Sequence, residues 1–350
     1  CLLRGSEVAR EGKNSAVGVA RAVAAQRILK ESRFDSELLQ LRALMDVAES
    51  YRMADRSREA LPAFEQAFAW LSSLGRDDTD TAGTLLNNWG MTLWDLGLPI
   101  EAERVFRRAI DISASDASEE GVSPMLLNNH ARVLRDLGRL DEARRYAERA
   151  YAQAQRAGDE IVVNQSLTVR ESIYRESGDL PHAEAMLAEL EPRLRRMLPA
   201  GHIAFASLTS ERSMLTQARG DAPAALGLAN QALALAEASI KNGGQGAGYV
   251  PTLLLRRSGM ELQLGRPGEA DADAGRALQI LQERAPPGTR SSGLGRAWLS
   301  RGRALQAQGK RAEASAAFTS ATEHLERSVG PDHADTRAAR ELAAVTAGPG

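Results

Sequence analysis

Only one cysteine, Cys1, stands in the 350 residues, so no disulfide can close within the chain and a disulfide-stapled scaffold is excluded. Aromatic residues make up 4% of the sequence, which leaves Ala and Leu to build the core. No sign of charge dominates. Lys and Arg number 44 against 46 Asp and Glu, a net charge of −2, which argues against bulk electrostatic affinity for nucleic acid or for acidic membranes. No apolar run reaches the ~20 residues a membrane helix needs. The most apolar stretch, Ala222 to Ala238, is broken by Asn230, Gln231 and Glu237. No signal peptide is visible, and the segment is read as cytoplasmic, with an extracytoplasmic segment of a membrane-anchored parent as the alternative. The chain does not begin with Met, which reads as a fragment or a processed product. Cys1 at a mature terminus would suit a lipid anchor. "LLRGSEVAREGK" reads as helix and not as a tether, however, and that favours an excised domain.

Catalytic constellations are missing as well. "GKNS" at Gly12 lacks the upstream glycine spacing of a phosphate loop and a Ser or Thr directly after Lys13. "GGQGAG" at Gly243 does not fit Gly-x-Gly-x-x-Gly and reads as a loop between helices. The five histidines, His130, His182, His202, His324 and His333, show no i, i+4 pairing of a helical zinc site. No Gly-x-Ser-x-Gly elbow appears, and neither do the glycine loop, strand lysine and HRD-type loop of a kinase. The expectation is a chain that is not an enzyme by itself and takes no cofactor or metal.

What the sequence does hold is repetition. "LLNNWGMTLWDLGLPIEAERVFRRAI" begins at Leu85, and "LLNNHARVLRDLGRLDEARRYAERAY" follows at Leu126. Ala60, Ala102, Ala143, Ala183, Ala225, Ala270 and Ala314 occupy one equivalent position, with successive spacings of 42, 41, 40, 42, 45 and 44 residues. A fixed period in this range is the signature of a stacked array. Five residues before each alanine comes a turn residue: Asp55, Gly97, Gly138, Gly178, Gly220, Gly265 or Gly309. Glycine there suits a left-handed residue that ends one helix. Pro99, Pro181, Pro223 and Pro267 then fall in the first turn of the next helix, where a missing N–H costs nothing. Apolar residues recur four and seven positions after the aligned alanine, giving the second helix an apolar, mostly small face. Sixteen residues before it stands a mostly large group, such as Leu44, Leu86 or Trp298, and twelve before it a mostly small one, such as Ala48, Gly90 or Gly302. Large against small lets two antiparallel helices interdigitate. Glu171, Thr209 and Glu261 depart from the pattern, being polar where it wants small or apolar groups.

The large–small–Gly–Ala–aromatic–Ala series resembles the tetratricopeptide repeat, over Glu37 to Ser328. With its period of about 40–45 residues, and with "LLNN…LG…EA", it is similar to the longer variant of kinesin light chains. "GPDHADT" at Gly330 resembles the loop between units of that variant. The fold implied is all-α, a right-handed superhelical solenoid of about 15 to 18 helices stacked as antiparallel pairs. A degenerate helical repeat is expected over 1–36, with a turn near Gly12–Asn14, seven repeats over 37–328, and a capping helix with a flexible tail over 329–350. The polar stretches between repeats, such as "SSLGRDDTDT" and "KNGGQGAGYV", read as loops on one rim.

In this family the first helix of each pair lines a concave groove, where ligands bind. Groove positions recur at spacings of three and four. They fall on Arg42, Met45, Glu49 and Arg52 in repeat one, Asn87, Met91, Trp94 and Asp95 in repeat two, and Asn128, Arg132, Arg135 and Asp136 in repeat three. Repeat four presents Gln165, Thr168, Ser172 and Arg175. The resemblance implies peptide contact for Asn87 and Asn128, since a carboxamide both donates and accepts, as a peptide bond does. Arg132, Arg135 and Arg175 would add charge for carboxylates, and Trp94 an aromatic anchor. The alternative is structural: asparagines bonded to a neighbouring loop, arginines paired with Asp95 and Asp136, and Trp94 in packing. The function expected is a protein–protein interaction module that takes an extended peptide or acidic segment, the regulatory or scaffold part of a larger bacterial protein. The chain is also similar to the tetratricopeptide regions of bacterial serine/threonine protein kinases. A sensory domain of such a kinase, with its catalytic domain outside this chain, or of a transcriptional regulator is the alternative.

Overall fold

The computed structural model describes residues 2–11, 15–31, 36–115, 121–243 and 246–347. Among them are seventeen α-helices and no strand, so the all-α repeat expected from the sequence is what forms. Two compact units divide the chain, Cys1–Leu96 with Glu101–Val122, and Gly97–Ile100 with Ser123–Gly350. The first holds α1 (Leu2–Glu11), α2 (Ser15–Glu31), α3 (Glu37–Met53), α4 (Ser57–Ser73), α5 (Asp80–Asp95) and most of α6 (Pro99–Ser115). The second holds α7 (Pro124–Asp136), α8 (Leu140–Ala157), α9 (Glu160–Glu176), α10 (Leu180–Met197), α11 (Ile203–Ala218) and α12 (Ala222–Lys241). It continues through α13 (Val250–Gln263), α14 (Pro267–Arg284), α15 (Ser292–Ala307), α16 (Arg311–Ser328) and α17 (Ala334–Ala347). The division falls between α6 and α7, at the boundary between repeats two and three, except that the link Gly97–Ile100 inside the α5–α6 pair groups with the second unit. The turn expected near Gly12–Asn14, Cys1 and the last three residues lie outside the described residues.

Each pair forms because the sequence stops one helix and starts the next within a few residues. All seven turn positions have positive φ, from 58° at Asp55 to 90° at Gly220. Six of the seven are glycine, the residue that enters this region without steric cost. Helix starts are capped by side chains that accept orphan N–H groups. Asp159 takes the amide of Val162, Asp179 that of His182, Asp221 that of Ala224, and Ser291 that of Leu294.

The aligned alanines are the pivot of the packing. All seven are fully buried, as are the alanines seven residues further on, with Leu190 in repeat four nearly so. The small residue of the first helix meets the large one of the second. A Cβ placed on Gly90 would lie 2.9 Å from the Phe106 ring, and one on Gly302 2.5 Å from that of Phe318. These glycines are there for close approach of an aromatic ring. Each first helix packs on its own partner and on the first helix of the next pair, giving a row α1–α3–α5 in the first unit and α7–α9–α11–α13–α15–α17 in the second. The last helix, α17, places Ala339, Leu342 and Ala343 on the apolar cluster of α15 and α16, where an array needs a cap.

Candidate functional site

In the second unit the row of first helices curls until its ends meet. The Arg296 guanidinium on α15 donates to the Asp136 carbonyl at the end of α7 (3.3 Å) and to the Asp335 carboxylate on α17 (2.9 Å). Leu137, just past α7, packs on the cluster of Leu299, Leu305 and Leu325. The curl encloses the charged side chains that this row points inward. Arg175 Nε donates to Glu171 Oε1 at 3.0 Å, and its Nη2 to Glu211 Oε2 at 3.2 Å. Arg256 Nη1 donates to Glu211 Oε1 at 2.9 Å and to Ser210 Oγ at 2.7 Å. Arg135 pairs with Asp136 at 2.7 Å and faces Glu176 at 3.9 Å. Glu171, Glu211 and Arg175 are all buried.

The two central glutamates are split by their surroundings. Burial raises the Glu171 carboxyl to about 8, and the charge of Glu211 adds to it. Burial works on Glu211 too, but Arg256, Arg175 and Arg135 outweigh it and hold that carboxyl at about 2. The pair therefore shares one proton near neutrality, carried by Glu171. Arg135 and Arg256 lose from burial, yet the carboxylates keep both firmly protonated. This is a satisfied internal network, with its cations already engaged.

The first unit differs. Between α1, α3, α4 and α5 lies a cavity of about 510 Å³. Leu41, Met45, Phe64 and Leu85 form its apolar lining, and Glu7, Arg42, Asp46, Glu49, Arg76 and Asn88 supply the polar groups. Asp46 accepts from the Ser6 hydroxyl, and Glu49 takes a two-pronged bond from Arg52 at 2.7 and 3.0 Å. Arg42 and Arg76 are exposed and have no ion-pair partner among the described residues. An apolar floor with two uncommitted guanidiniums suits a ligand that carries both apolar groups and carboxylates.

The residues predicted from sequence thus separate. Asn87 and Trp94 lie half-buried on α5 in the first unit, whereas Asn128, Arg132, Arg135 and Arg175 belong to the second. Asn87 Nδ2 donates to Asn88 Oδ1 at 3.1 Å, and it is Asn88, not Asn87, that lines the cavity. Asn128 was expected to stand exposed in a groove. It is fully buried, and neither polar atom of its carboxamide has a hydrogen-bond partner among the described residues. Arg135 takes the alternative left open by the sequence, pairing with Asp136, while Arg175 is held by Glu171 and Glu211, partners that the sequence reading did not name for it. Arg132 is half-buried on α7. Arg42, Met45 and Glu49, read in the same register, do line one cavity. Arg76, Glu211 and Arg256 were not anticipated. Glu171 was marked in the sequence by sitting where the repeat wants a small residue.

Residues 39–115 and 123–196 match the family model of the tetratricopeptide repeat. No curated protein matches the chain by sequence. Solved structures similar in fold include a Rap protein complexed with Competence and Sporulation Factor, 12% identical with a TM-score of 0.61, over 99% of this chain and 96% of that one. The apo form of the quorum sensor NprR from B. thuringiensis is 12% identical with a TM-score of 0.57, over 93% and 86%. A putative kinesin light chain of Podospora anserina is 19% identical with a TM-score of 0.45, over 58% and 97%. No helix among the described residues is long and apolar enough to cross a membrane.

Proposed function

Because the chain carries tetratricopeptide repeats, a fold consistent with protein–protein interaction, we propose that it is a non-catalytic module whose first unit captures an extended acidic segment of a partner protein. The observation that carries this reading is the cavity between α1, α3, α4 and α5, where Arg42 and Arg76 have no ion-pair partner among the described residues while the central arginines of the second unit are paired. An apolar side chain of the segment sits on Leu41, Met45, Phe64 and Leu85. Carboxylates beside it meet Arg42 and Arg76. The Asn88 amide, with Asn87 bonded to it, grips a peptide group of the segment. Trp94 lies on the same helix and extends the groove. The Rap protein of similar fold is one bound to Competence and Sporulation Factor, which fits a ligand-capturing role.

The test is a peptide-array capture followed by fluorescence polarisation with the best acidic peptide. Arg42→Glu with Arg76→Glu weakens binding at least tenfold, about 1.4 kcal/mol, while the melting temperature holds because both side chains are exposed. Raising salt weakens the wild type towards the double variant, since exposed charges are screened. Equal capture by wild type and double variant refutes the site, and capture indifferent to peptide charge refutes the acidic ligand.

A further inference from the structure

The second unit carries a crevice that the interior network does not use. It has a volume of about 250 Å³ and opens among α12, α13 and α14. Leu226 and Asp273 are buried within it, and Asn230, Arg266, Glu269 and Ala272 are exposed at its mouth. On its floor lies Glu261, 4% exposed. Its Oε1 faces Arg257 Nε at 3.6 Å, beyond hydrogen-bond reach, and its Oε2 is buried with no hydrogen-bond partner among the described residues. The neighbouring groups are committed elsewhere. Arg257 forks onto both oxygens of Asp273, at 2.5 and 2.7 Å, and donates to Asn230 Oδ1 at 3.0 Å. Arg266 lies 3.7 Å from Glu269.

The charges around the crevice do not balance. Three carboxylates, Glu261, Glu269 and Asp273, face two guanidiniums, Arg257 and Arg266, so one monovalent cation would make the site neutral. The unmet acceptor is a single buried carboxylate oxygen on a residue that lines the crevice. A guanidinium needs two acceptors in one plane to use its fork, whereas an ammonium is a compact point charge on a flexible stem. Leu226 and the exposed Ala272 offer apolar surface along which such a stem can lie. We propose that this crevice is a subsite for the ammonium group of a lysine side chain on a partner protein, with Glu261 Oε2 as its acceptor. It does not rest on the reading of the first unit.

Proton competition gives the site a signature. Burial, then the charge of Asp273, raises the Glu261 carboxyl to about 7, against the opposing pull of Arg257. An ammonium binds the ionised form, so its affinity increases about tenfold from pH 6 to pH 8 as that fraction grows.

The experiment uses the full chain labelled with ¹³C at glutamate carboxyls, with the Glu261 resonance identified by its loss in Glu261→Gln. The probes are n-butylammonium, methylguanidinium, tetramethylammonium and spermidine. n-Butylammonium is expected to shift the Glu261 resonance saturably, to lower its titration midpoint, and to bind more tightly than methylguanidinium. Tetramethylammonium, which has no N–H, leaves it unmoved. Equal responses to all the monovalent cations, preference for methylguanidinium, or no saturable shift would each overturn the proposal. So would spermidine binding tenfold more tightly than n-butylammonium, which marks a free polyamine as the occupant. Should Glu261→Gln fail to fold, the contrast between n-butylammonium and tetramethylammonium on the wild type decides alone, read on the glutamate resonance whose titration midpoint the amine lowers.

Discussion

Replacing Glu171 by Gln tests the electrostatics of the second unit most directly. Glu171 is fully buried, with its carboxyl raised to about 8 from an ordinary 4.5. Between those values the folded protein keeps a proton that the unfolded chain has released. Its contribution is complete below about pH 4.5 and is lost as pH rises through about 8. Each pH unit in that window costs at most about 1.4 kcal/mol. The slope tapers as pH nears either value, which leaves roughly 3 kcal/mol between pH 5 and pH 8. Glu211, held at about 2, does not titrate there. The introduced carboxamide has the size of a neutral carboxyl, accepts from Arg175 and donates towards Glu211, but it has no proton to lose. The wild type should therefore lose about 3 kcal/mol relative to Glu171→Gln between pH 5 and pH 8. For a unit of this size that is a relative fall of roughly 6 to 12 °C in melting temperature. Circular dichroism melts of both proteins at pH 5, 6, 7 and 8 read this difference, and other titrating groups cancel in it. A gap in melting temperature that stays constant across the range refutes the assignment of the proton to Glu171.

The same substitution at Glu211 should act in the opposite way. Glu211→Gln strips the partner from both Arg175 and Arg256 and should destabilise by about 3–5 kcal/mol at pH 7, the usual cost of breaking a buried pair; a loss under 1 kcal/mol in denaturant titration would contradict it. Asn128→Leu should leave stability unchanged or raise it by about 1–3 kcal/mol, because both amide atoms are buried without partners among the described residues and their desolvation is relieved. A clear fall in melting temperature would show that the carboxamide is satisfied.

The helical frame was legible because it is written locally. A turn glycine, a buried alanine and a large–small pair are each decided by neighbours within one repeat, and all seven turn positions took positive φ. The groove register was legible in part. Arg42, Met45 and Glu49 line one cavity, but in the next repeat the lining residue is Asn88, one step round the helix from the position read. Exposure was the quantity that could not be read. Asn87 and Asn128 stand in nearly identical words, "LLNN", yet one is half-buried and the other fully buried. For Asn128 the local pattern sets the helix face, while its burial comes in a row that closes through contacts such as Arg296 to Asp136, 160 residues apart. No repeat alignment contains that distance.

The departures from the repeat carry more than the repeat itself does. A carboxylate at a position that wants a small or apolar group is too costly to bury alone. It must bring a cation, and on a helix the nearest place for one is a turn away. Glu171 has Arg175 four residues after it, and Glu261 has Arg257 four residues before it. The outcomes then diverge. In α9 the arginine hydrogen-bonds its glutamate at 3.0 Å, and a second carboxylate, Glu211, completes the network. In α13 the arginine turns to Asp273 and leaves one oxygen of Glu261 unmet. The same spacing yields a closed ion cluster where the curl of the row supplies further partners, and an incomplete one in the crevice among α12, α13 and α14, where the missing partner has to come from another molecule.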